Sequence, residues 1–95
     1  MKGLIKLFNE RIMRIMGLSL DVSSKTDYDV FFTYAPHCNL IEVHIYEDKW
    51  DVGKSANERF SVYIDVASFR SESEIVDKLD QIIDNLSCKL DTVTA

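Results

Sequence analysis

Ninety-five residues with 46% hydrophobic and 28% charged side chains form one globular domain, 1–95, with a small core of its own. The net charge of −5 is unevenly placed: residues 1–17 carry Lys2, Lys6, Arg11 and Arg14 against Glu10, or +3, and residues 18–95 carry −8. An acidic body repels phosphate backbones and argues against general nucleic-acid binding, and two widely spaced cysteines, Cys38 and Cys88, suggest reduced thiols and not a disulfide framework.

The first element is an amphipathic helix over residues 2–16. Leu4, Ile5, Phe8, Ile12, Ile15 and Met16 share one side, and Lys2, Lys6, Asn9, Glu10 and Arg14 the other. Gly17 is the expected stop, because glycine accepts the left-handed conformation that ends many helices. Polar residues interrupt each apolar run here, so neither a signal peptide nor a membrane span is expected. Leu18 to Asp27 is expected as a connection, with Leu18, Leu20 and Val22 alternating as a short edge strand would.

Three strands follow, at Tyr28–Tyr34, Ile41–Glu47 and Arg59–Val66. Strict alternation in the second and third places Ile41, Val43, Ile45, Phe60, Val62, Ile64 and Val66 on one face. Short connections make the strands sequential neighbours in an antiparallel meander. The opposite face then carries Phe31, His44, Tyr46 and Tyr63, with Phe31, Tyr46 and Tyr63 expected to cluster. Trp50 lies in the long loop between the second and third strands, among Glu47, Asp48, Lys49 and Asp51.

The last helix begins at Ser71, where Ser71-Glu-Ser-Glu74 has capping-box spacing, and runs to Leu86 or Lys89, with the tail from Asp91 frayed. Ile75, Leu79, Ile82, Leu86 and Leu90 form its apolar stripe. The fold class is therefore α+β, in the order α-β-β-β-α, with both helices on the aliphatic face of a three-stranded antiparallel sheet.

That order is shared with double-stranded RNA-binding domains, which need lysines at the start of the last helix. Phe69-Arg-Ser-Glu-Ser-Glu74 has the wrong sign there, so no nucleic-acid partner is expected. His37, Cys38 and Asn39 stand together in the first hairpin loop, but a zinc site wants four ligands and a thiol nucleophile wants a positioned base. The simpler role of these residues is a turn. No phosphate loop or hydrolase motif is present, so no catalytic residue, metal, cofactor or small-molecule substrate is expected.

The central segment resembles small uncharacterised proteins of bacteriophages and prophages of Gram-positive bacteria, through Val30-Phe-Phe-Thr-Tyr34, His37-Cys-Asn39, Val43-His-Ile-Tyr46, Trp50 and Tyr63-Ile-Asp65. The resemblance covers less than half of the chain. It implies a phage or accessory role in a bacterial cytoplasm, without an activity to carry over. The sequence thus suggests a non-enzymatic protein-interaction module. Phe31, His44, Tyr46, Trp50 and Tyr63 would meet a protein partner or a second copy through the sheet face. The alternative is an acidic inhibitor in which Glu72, Asp77, Asp80 and Asp84 mimic nucleic acid and fill a basic groove.

Overall fold

The computed structural model describes residues 2–47, 55–64 and 72–94, with side chains placed for 8–47, 55–64 and 72–91. The element order is α1 (Lys2–Lys25), β1 (Asp29–Ala35), β2 (Leu40–Tyr46), β3 (Glu58–Tyr63) and α2 (Glu72–Thr94). The strands form an antiparallel sheet in the order β1-β2-β3, and both helices pack on one of its faces.

Helix α1 does not stop at Gly17. It continues for two more turns, through the segment expected as a connection or edge strand. Phe8, Ile15, Leu18 and Val22 are all buried, so one helical stripe continues past the glycine on the opposite side of the helix. The energetics favour this course. A glycine inside a helix costs about 1 kcal/mol relative to alanine, whereas burying one Leu or Val returns about 1.5–3 kcal/mol. Gly17 faces outward, with nothing within 4 Å of where a Cβ would stand.

The end of α1 is tied directly to the sheet. The Thr26 hydroxyl donates to Val22 O at 2.6 Å and accepts from Tyr28 N at 3.0 Å, which turns the chain out of the helix. Ser23 then bridges to the edge strand: Val30 N donates to Ser23 Oγ at 2.9 Å, and Ser23 Oγ donates to Val30 O at 3.4 Å.

The first hairpin closes through residues 36–39, with Ala35 opposite Leu40. Asn39 takes φ 51°, a left-handed conformation that asparagine tolerates better than most residues. Beyond Tyr63 the Ile64 amide still donates to Asn39 O, at 2.9 Å. Asp65 and Val66, expected at the end of the third strand, lie outside the described residues.

The core is the sandwich expected from the alternation. Val30, Ile41, Val43, Ile45, Val62 and Ile64 come from the sheet. Phe8, Ile15, Leu18 and Val22 come from α1, and Ile75, Leu79, Ile82 and Leu86 from α2. Helix α2 extends to Thr94, past the expected end, because Leu90 continues its stripe against the core. Ser71 lies outside the described residues, so the capping box is not placed; Glu72 and Glu74 occupy the first turn, where acids suit the helix dipole. The two helices lie side by side, and the Arg11 guanidinium donates to Asp80 at 3.1 Å between them.

Candidate functional site

The outer sheet face is built by the strand residues that point away from the helices. The register sets Phe31 opposite His44, and His44 opposite Arg59, forming one row across the sheet. The neighbouring row is Thr33, Glu42 and Ser61. His44 Nε2 lies 3.2 Å from Glu42 Oε2, one step along the same side of β2. The middle row of this face therefore carries a phenyl ring, an imidazole and a guanidinium side by side.

Phe31 and Tyr46 meet as expected. They are diagonal neighbours across the β1–β2 pair, with centroids 5.4 Å apart and planes at 74°, an edge-to-face contact. The other half of the expected cluster does not form. Tyr63 pairs with Leu40, at the far end of β2 from Tyr46. The six residue steps from Leu40 to Tyr46 correspond to about 20 Å of strand. Antiparallel strands pair end to start, so a residue late in β2 cannot meet one late in β3.

The rings also differ in access. Phe31 is 44% exposed and Tyr63 42%, but Tyr46 is only 9% exposed. Tyr46 therefore supports its neighbours more than it presents a contact surface. The face carries two separate ring patches, with His44, Glu42, Thr33 and Arg59 between them. Trp50 lies outside the described residues.

The His37–Asn39 group forms the hairpin turn. Cys38 N and Asn39 N donate to Ala35 O and Pro36 O, at 3.3 and 3.4 Å. His37 and both cysteines are exposed, and neither cysteine is in a disulfide. Among the described residues no group of three or more His, Cys, Asp or Glu is placed to hold a metal ion. No helix among them is long and apolar enough to cross a membrane.

Two features escaped the sequence reading. One is a polar clasp where α2 crosses the start of β3. Lys89 Nζ lies 2.7 Å from Glu58 Oε2 and donates to Asn85 Oδ1 at 2.7 Å. Asn85 Nδ2 donates to Glu58 Oε1 at 2.9 Å, and the ammonium stands 5.2 Å from the centroid of the Tyr28 ring. Desolvation pushes the Glu58 carboxyl up, but hydrogen bonds from Lys89 and Asn85 and the ammonium charge outweigh it, leaving the group below the ordinary carboxylate range. This arrangement fastens the helix to the sheet.

The other feature is on α1. Met13, Met16 and Leu20 are 61%, 49% and 71% exposed. Their spacing of three and four puts them on one side of the helix. The stripe becomes visible in the sequence only once the helix is carried past Gly17. Met16, expected in the core, belongs to it. The chain matches no family model, no curated protein and no solved structure.

Proposed function

We propose that this protein is a non-enzymatic interaction module that binds a protein partner through its outer sheet face. The observation that carries this reading is the partial exposure of Phe31 and Tyr63, two large rings on the face opposite both helices. Such rings, with Arg59 and His44 between them, match the composition favoured at the centre of protein interfaces. The resemblance of the central segment to phage and prophage proteins supports a setting in the cytoplasm of a bacterial host. Trp50 joins the contact surface in this proposal.

The test is capture of a partner from host lysate by the native chain and by a Phe31→Ala/Tyr63→Ala variant. Loss of a specifically enriched protein, with the thermal unfolding midpoint unchanged, supports the reading. Equal capture by both refutes it. Tyr46 is left intact, because its burial would mix binding with stability.

A second reading is favoured by one observation on α2: Glu72, Asp77 and Asp84 are exposed, although Asp80 is paired with Arg11. These acids suit an inhibitor that occupies a basic nucleic-acid-binding groove. Binding that weakens steeply with salt and persists in the ring variant favours the inhibitor; weak salt dependence favours the sheet face.

A further inference from the structure

The exposed stripe of α1 combines an apolar seam with a patterned charged border. Met13, Met16 and Leu20 stand outward around Gly17, where the missing side chain lets another backbone approach closely. Methionines adapt their shape to an incoming surface better than branched residues do. On the flank toward α2 lie Glu10, Arg14, Asp21 and Lys25, which fall within about 60° of one another at 100° per residue. Their signs along the chain run minus, plus, minus, plus.

That order is self-complementary when reversed. In an antiparallel pair of α1 helices, one register brings Glu10 against the other copy's Lys25 and Arg14 against its Asp21. Symmetry repeats each contact, giving four opposite-charge pairs beside the seam. In the same register Leu20 of each copy comes level with Met16 of the other, and the two Gly17 backbones face each other near the axis. Asp21 already stands 3.8 Å from Lys25 in its own helix, so the border forms a shared network and not isolated pairs.

From this match we infer that the occupant of the α1 stripe is a second copy of this chain, docked antiparallel about a two-fold axis near Gly17. The edge strand beside the stripe is a poorer route to self-association. Ser23 holds the outward N–H and C=O of Val30, so β1 is blocked where α1 meets it. An anionic membrane is also a poorer fit, because the border presents two acids beside its two bases. The dimer leaves the outer sheet faces open, since α1 lies on the other side of the sheet. It presents two copies of that surface, and the two proposals fail independently.

The test is sedimentation equilibrium of the full chain from micromolar to sub-millimolar concentration, with four variants. Leu20→Glu places a carboxylate in the seam and is expected to leave only monomer. Arg14→Glu and Asp21→Arg each set like charges together twice and are expected to weaken the dimer about tenfold. The Arg14→Glu/Asp21→Arg double variant restores the pairs and is expected to restore the native dissociation constant. That rescue does not follow from a general change in charge or from a folding defect. A native chain that stays monomeric throughout overturns the inference, as does a dimer whose constant the charge variants leave unchanged. A monomer that binds phosphatidylserine vesicles and loses them in Leu20→Glu assigns the stripe to a lipid surface instead and also overturns it.

Discussion

Gly17→Ala is the substitution on which two structural readings give opposite signs. In the fold, Gly17 sits inside α1 with a backbone that is not left-handed and with open space where a methyl group would go. Alanine there removes the helix-propensity cost of glycine and narrows the unfolded ensemble, and the structure offers no clash to offset either gain. The expected stabilisation is about 0.8–1 kcal/mol, which raises the unfolding midpoint of a domain this size by about 4–8 °C. If Gly17 instead ended the helix in a left-handed conformation, alanine would destabilise the chain, by an amount on the order of 1 kcal/mol. Urea titrations followed by circular dichroism at 222 nm, the standard helix band, give the sign directly when run dilute enough that association is negligible. A lowered midpoint would refute the continuous α1 helix, and with it the exposed stripe.

Three further outcomes follow from the tethers. Glu58→Gln and Lys89→Met should each cost about 1–2 kcal/mol, the range for charge-assisted hydrogen bonds reduced for the partial exposure of Glu58, and a double-mutant cycle should show that they share most of this energy. Because the Glu58 pKa is lowered on folding, its contribution is present above the ordinary carboxylate range and is lost as pH falls through the lowered folded-state value; Glu58→Gln should flatten that part of an acid titration of stability, and an unchanged profile would contradict the clasp. Ser23→Ala should cost about 1 kcal/mol by leaving the outward Val30 amide without its hydroxyl, and amide exchange at Val30 should quicken relative to Ile45.

The sheet was legible because period-two alternation states which residues share a face, and the fold class followed from two amphipathic helices flanking it. What alternation leaves open is access. It set Tyr46 on the outer face correctly but did not reveal that the ring is nearly buried against its surroundings. The position of Tyr63 was within reach of the sequence, since a meander pairs the end of one strand with the start of the next. Counting from the 36–39 turn separates it from Tyr46.

The length of α1 was concealed for a different reason. A local stop signal at Gly17 competes with a long-range reward, the burial of Leu18 and Val22 against strands further along the chain, and single-residue rules weigh only the first. The Glu58–Asn85–Lys89 clasp joins residues 27 and more positions apart, so nothing in either segment announces it. The same limit applied to Arg11 and Asp80, which carry ordinary surface charges until the helices are placed side by side.

Residue-level hydroxyl-radical footprinting of the chain, alone and with its captured partner, bears most directly on the open ring-bearing sheet face. Phe31 and Tyr63 should be oxidised readily in the free protein and protected in the complex, with Met13 and Met16 protected only as protein concentration rises. Oxidation of Phe31 and Tyr63 at the same rate in both states would contradict binding through that face.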